Sequence, residues 1–164
     1  MFLFSGTFFP VTRLPQGLRE VAYATPLWHG VDLIRKLSLG TATLGLSVLH
    51  VAYLALWFVV GFGFAGVGIG ASTFLRSWQD FDLVQIVQLP MFLFSATFYP
   101  LSVYPEAIQW FVRVSPLYHA STLIRSFTLG SVGWINLVNA AYLVALGLAG
   151  IWLARRRMAG MLLT

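Results

Sequence analysis

Residues 37–75 hold no aspartate, glutamate, lysine or arginine, and His50 is the one weakly basic group among them. A membrane-crossing helix takes about 20 residues. The run is therefore too long for one comfortable crossing and barely long enough for two. Two more apolar stretches follow. One extends from Leu83 to Leu101 after the polar loop "RSWQDFD" at 76–82, and the other from Ser131 to Ala154, where "RRR" begins. Only 9% of the chain is charged and 59% is hydrophobic, whereas soluble domains are typically about 25% charged. A chain of 164 residues has no soluble core large enough for that apolar surface, so lipid is the expected solvent. The expected fold is an all-α integral membrane protein with about three transmembrane helices.

The net charge of +5 does not point to nucleic acid. No basic stripe with interleaved aromatics exists, and three of the ten basic residues are Arg155, Arg156 and Arg157. Directly after an apolar run, that cluster reads as a cytoplasmic topology anchor. There is no cysteine, so disulfides and thiolate metal sites are excluded. The first ten residues lack the basic start of a signal peptide, which leaves insertion to the later segments.

The chain repeats itself. Residues 1–40, "MFLFSGTFFPVTRLPQGLREVAYATPLWHGVDLIRKLSLG", align without a gap on 91–130, "MFLFSATFYPLSVYPEAIQWFVRVSPLYHASTLIRSFTLG", with seventeen positions identical. A weaker likeness continues from "AYLAL" at 52–56 to "AYLVAL" at 141–146. Counting back from the arginine cluster places 102–130 outside the cytoplasm and the loop 76–82 inside. If 41–75 crossed twice, residues 11–40 would face the opposite side from their near-copy. One long or kinked crossing is therefore expected, although Arg13, Arg19, Arg35 and Lys36 favour the cytoplasm.

Each copy carries the same punctuation. A short helix starts at Pro15 or Pro105, with Glu106, Gln109 and Arg113, or Gln16, Arg19, Glu20 and Tyr23, as its polar stripe. It stops before "TP" or "SP", because a residue preceding proline avoids helical geometry. Thr25 or Ser115 then caps a second helix with Pro26 or Pro116 at its first position, making these prolines the hairpin turns. Gly40 or Gly130 ends that helix. Such a hairpin is too short to span. It either enters the membrane and returns, packed against protein, or lies flat at the interface.

The second helix of each hairpin holds the ionisable residues. His29, Asp32 and Lys36 share one face, and Asp32 can pair with Arg35 or Lys36; the other copy keeps His119 and Arg125 but has Thr122 for the aspartate. His29, Asp32, Arg35, His119 and Arg125 are thus candidates for lining a substrate exit, the plainer role being interface anchors. His50 is expected to face a protein partner, since no carboxylate lies nearby in sequence. A GxxxG at Gly66–Gly70 permits close helix contact. Arg76, Asp80 and Asp82 either face a cytoplasmic partner or simply end two helices with charge. No phosphate-binding GxxxxGK[ST], HExxH or GxSxG occurs, so the chain reads as a non-enzyme without a cofactor. An intramembrane enzyme built on His29 or His119 is the weakest alternative.

The string "LVQIVQLPMFLFSATFYPLSVYPEAIQWFVRVSPLYHASTLIRSFTLG", followed by an apolar span and "ARRRM", resembles the C-terminal part of ABC-2 type transporter permeases. The likeness is to the lipooligosaccharide (nodulation-factor) exporter and daunorubicin-resistance branch. It covers 61–164 and, independently, 1–60. It implies an all-α permease in the bacterial plasma membrane, multi-pass, acting with a second permease chain and an ABC ATPase subunit that uses the ATP. Its substrates would be lipid-linked saccharides or amphipathic drugs. With an ATPase as partner, the loop residues Arg76, Asp80 and Asp82 are the candidates to face it, but the family's amphipathic N-terminal helix and its ATPase-docking coupling segment are not visible in this sequence. A complete member has six spans, so the chain reads as two permease C-terminal parts joined. The first, 1–60, would hold a half-span, the hairpin 11–40 and the start of a span 41–75. The second, 61–164, would hold the loop 76–82, span 83–101, hairpin 102–130, span 131–154 and tail 155–164. The alternative is a truncated, non-transporting module that associates with full-length permeases.

Overall fold

The computed structural model describes residues 10–97 and 99–162, and the half-span expected over 1–10 lies outside them apart from Pro10. The described residues are helical, with no strand. The helices are α1 (Gln16–Tyr23), α2 (Pro26–Ser38), α3 (Leu44–Ser72), α4 (Asp80–Leu93), α5 (Glu106–Val114), α6 (Pro116–Thr128) and α7 (Trp134–Leu162). Single 3-10 turns, Val11–Arg13 and Leu101–Val103, precede α1 and α5. The chain divides into two compact units after Phe58, within α3.

The punctuation works as the side chains dictate. Pro15 and Pro105 stand at the N-caps of α1 and α5. Thr25 Oγ1 accepts the Trp28 amide at 3.4 Å and donates to Ala22 O at 2.7 Å, which holds the turn between α1 and α2. Ser115 occupies the matching position, but its hydroxyl is buried without a partner. Pro26 and Pro116 open α2 and α6. Gly40 and Gly130 end them at φ of 65° and 68°, a region closed to most residues with a β-carbon. The amides of Thr41 and Ser131 then reach back to the carbonyls of Lys36 and Ser126, closing the same C-terminal motif twice.

Residues 44–72 form one continuous helix rather than two. Its 29 residues extend about 43 Å at 1.5 Å per residue. This helix and Trp134–Gly160 are the two, among the described residues, long and apolar enough to cross a membrane. The third expected span, 83–101, differs. It overlaps α4, which starts at Asp80 and whose 14 residues reach only about 21 Å, shorter than a hydrocarbon core of about 30 Å. Ser95 ends the helix by turning its hydroxyl onto Phe92 O at 2.7 Å and Thr97 Oγ1 at 2.6 Å, a local bond that competes with helix continuation. Ala96 follows with φ 56°, and the hairpin anchors the turn: Ser121 Oγ donates to Ser95 O and Arg125 to Ala96 O.

In the second unit, the later part of α3 meets α7 backbone to backbone. A β-carbon on Gly66 would fall 2.5 Å from Gly147 Cα, and one on Gly70 would fall 3.3 Å from Gly150 Cα. Leu143, fully buried, packs on Gly63. The GxxxG at Gly66–Gly70 therefore makes a real helix crossing, of the kind that lets helices associate where lipid removes the hydrophobic driving force.

Candidate functional site

Each unit builds a joint where the second hairpin helix meets the long helix after it. In the first unit the joint begins with α2, whose helical spacing puts His29, Asp32 and Lys36 along one face. His29, 7% exposed, stacks on Tyr53 of α3 at a centroid distance of 4.0 Å. Its Nε2 donates to Tyr23 O at 3.1 Å, and the Tyr53 hydroxyl donates to Ala24 O at 2.5 Å. These bonds satisfy carbonyls that the end of α1 leaves open. His29 Nδ1 lies 2.8 Å from Nδ1 of His50, itself 2% exposed. On its other side His50 Nε2 lies 3.1 Å from Asp32 Oδ2, and Lys36 Nζ reaches the same oxygen at 2.6 Å. Trp28 packs edge-on against both imidazoles. Burial first, and then the charge of His50, push the His29 imidazole below its usual pKa, against the smaller pull of Tyr23 O and Asp32.

The second unit repeats this frame. His119 stacks on Tyr142 of α7 at 3.9 Å, with the interplanar angle of 23° found in the first joint. His119 Nε2 donates to Arg113 O at 2.9 Å, and the Tyr142 hydroxyl donates to Val114 O. The His50 position is filled by Asn139, 3% exposed, whose side-chain amide lies 2.8 Å from His119 Nδ1. The contacts of the two joints correspond: His29 with His119, Tyr53 with Tyr142, His50 with Asn139. The frame matches with an offset of 90 in the hairpins and 89 in the long helices, so a one-residue deletion separates the copies.

The structure thus gathers His29, Asp32 and Lys36 with His50, the histidine expected to lack a carboxylate. Sequence distance hid the Asp32–His50 contact, because positions 32 and 50 lie on different helices. The faint "AYLAL"/"AYLVAL" likeness was the signal available, since it sets Tyr53 over Tyr142 and His50 over Asn139. Arg35 stands exposed on α2. Arg125 is not gathered with His119; its guanidinium binds Ala96 O at 3.1 Å at the end of α4. Two grooves flank the hairpins. One, lined by Pro26, Leu27, Gly30, Val31, Ile34 and Leu54, is apolar. The other sets Gln85 and Gln88 of α4 beside Leu89, Phe92 and Leu117.

At the far ends of the long helices the charges serve local structure. Asp80 accepts from the amides of Arg76 and Ser77, at 2.6 and 3.0 Å, and from the Ser77 hydroxyl at 3.0 Å. The Arg76 amide foremost, then Ser77, holds its carboxyl below the usual pKa. Asp82 is exposed in the first turn of α4, where a carboxylate suits the helix dipole. Arg157 lies over the Phe74 ring at 3.9 Å and Arg156 over Trp152 at 5.3 Å, while Arg155 is exposed.

Long apolar helices, each introduced by a short amphipathic hairpin, define a membrane protein. The family is shown by comparison: the ABC-2 type transporter model matches residues 37–129, more than half of the chain. The chain belongs to that family. It is a family of membrane transport components rather than nucleotide-hydrolysing subunits. Nodulation protein J of Rhizobium leguminosarum bv. viciae is 39% identical over 62 residues, which make up 38% of this chain and 24% of that protein. The matched stretch thus spans about a quarter of that relative's length. No solved structure gives a significant match.

Proposed function

We propose that this chain is a permease component of an ABC-2 type exporter. It would move an amphipathic substrate, a lipid-linked saccharide or a drug, outward across the bacterial plasma membrane as a multi-pass protein. The observation that carries this reading is the family match over 37–129 on a chain with two span-length helices. The likeness to a nodulation protein supports the lipooligosaccharide branch. The repeated joint supports descent from two joined permease C-terminal parts. Since the chain carries no nucleotide-binding motif in its sequence, a separate ABC ATPase would supply the work, and a second permease chain would complete the pathway.

In this reading both hairpins face away from the cytoplasm. His29, Asp32, Arg35, His119 and Arg125 stand near the exit, and the Gln85–Gln88 groove offers amides beside apolar side chains, as an amphipathic molecule requires. Arg76, Asp80 and Asp82 sit on the ATPase side with Arg155, Arg156 and Arg157. A second reading, a non-transporting module that associates with other permease chains, is favoured by the shortness of α4. Affinity purification from native membranes separates the two. The exporter reading expects an ABC ATPase to co-purify and efflux from intact cells to change on deletion of the chain. Recovery of permease chains alone, with efflux unaltered, would support the module.

A further inference from the structure

Two tryptophans fix the depth of α7 in a membrane. Trp134 and Trp152 are 75% and 58% exposed and stand 18 residues apart. That separation is about 27 Å along a helix, close to the thickness of a hydrocarbon core, about 30 Å. Indole rings settle where lipid meets water, so the pair marks both faces of the membrane. Arg155, Arg156 and Arg157 begin three residues past Trp152, at the level of the lipid headgroups.

We propose that Arg156 and Arg157, held on Trp152 and Phe74, form a binding site for the phosphate of an anionic phospholipid. Arg157 lies over the Phe74 ring at 3.9 Å and Arg156 over the Trp152 ring at 5.3 Å. A guanidinium resting on a ring engages its face there and keeps the N–H groups of its edge for acceptors. The protein provides no anion for them. Among the described residues, no carboxylate pairs with Arg155, Arg156 or Arg157, and Arg157 Nε is buried without a hydrogen-bond partner. The segments 73–82 and 152–157 hold four arginines against two aspartates. Of those two, Asp80 is already bonded to the amides of Arg76 and Ser77.

The surroundings select the class of anion. Phe74, Trp78, Phe81, Trp152 and Met158 are all exposed, and a soluble anion would leave them in water. A phospholipid brings both complements in one molecule: acyl chains for the apolar side chains, and phosphate oxygens for the guanidinium forks. A zwitterionic headgroup sets its own cation against the arginines, so charge complementarity favours an anionic one such as phosphatidylglycerol. Phe74 follows α3 and Arg157 belongs to α7. A headgroup bound here therefore also joins the ends of the two helices that cross at Gly66 and Gly147.

This inference does not depend on export, and its test does not read transport. The full chain is reconstituted in phosphatidylcholine vesicles with a trace of phosphatidylglycerol or phosphatidylcholine spin-labelled on an acyl chain. Electron paramagnetic resonance then reads the fraction of label immobilised by the protein. Phosphatidylglycerol should be held about fivefold more tightly, the factor expected of one cation at an anionic headgroup. The double substitution Arg156→Gln and Arg157→Gln should remove the preference, whereas Arg13→Gln, at an exposed cation outside the site, should leave it unchanged. Equal immobilisation of both lipids by the unsubstituted chain overturns the proposal, even if a variant fails to fold, and leaves the arginines to an acidic protein surface. A preference that survives the double substitution, or that Arg13→Gln also abolishes, overturns it as well. Inorganic phosphate, compared with chloride at equal ionic strength, should not displace the lipid; selective displacement would assign the site to a free anion instead.

Discussion

The two hairpin–span joints share a scaffold and differ in their chemistry. Both stack a histidine on a tyrosine at 3.9–4.0 Å and use both side chains to hold carbonyls at the end of the preceding helix. In the first joint the histidine then meets another histidine, which lies beside an aspartate paired with a lysine; in the second it meets one asparagine. Geometry is thus set by the stacked pair and the proline–glycine punctuation, which recur. Charge is an addition to that frame, and the second copy shows that the frame stands without it.

The largest effect expected lies in the crossing that secures the second unit. Gly66→Leu forces a side chain into the Gly147 backbone, and overpacking of a tight contact costs about 1–3 kcal/mol or more. Gly68→Leu, where a β-carbon has open space, serves as the control. Thermal unfolding in detergent should show a large drop for the first and little change for the second. Equal effects would remove the crossing from the account.

Next is the charge that sets the joints apart. Asp32→Ala strips the counter-ion from Lys36 in a partly buried site, and a destabilisation of about 1–3 kcal/mol is expected. Thr122→Ala at the matching position should stay within about 0.5 kcal/mol. A smaller contrast concerns the caps. Thr25→Ala loses two hydrogen bonds and should cost about 1 kcal/mol, whereas Ser115→Ala removes an unpartnered hydroxyl and should be near neutral. Reversal of either order would break the comparison.

The smallest effect is a pH dependence. His29 has its pKa lowered by burial and by His50, so the folded joint prefers it neutral. A group depressed in this way contributes stability above its unfolded pKa, and that contribution is lost as pH falls through the lowered value. Amide exchange over residues 26–38, corrected for intrinsic rates, should therefore accelerate in acid. A rate flat from neutral to acid pH would contradict the assignment.

Much of this architecture was legible in the residues. Pro15, Pro26 and Gly40, with Pro105, Pro116 and Gly130, marked the hairpins because each restricts the backbone locally. The uncharged run around α3 and the stretch before Arg155 marked the long helices because charge is costly in lipid. The end of α4 was not legible: an apolar pattern carries no mark of Ser95 turning on its own helix or of Arg125 arriving from α6. Nor was the Asp32–His50 contact, which depends on two helices meeting and on a register that slips by one residue between the copies.

The claim that these are two copies of one membrane unit, with both hairpins on the same side, meets its most direct test in labelling. The chain has no cysteine, and Gly17 and Ala107 are exposed, equivalent positions at the start of α1 and α5. Gly17→Cys and Ala107→Cys chains in intact cells should both react with a membrane-impermeant maleimide added outside. Labelling of one from outside and of the other only after the membrane is opened would contradict the account.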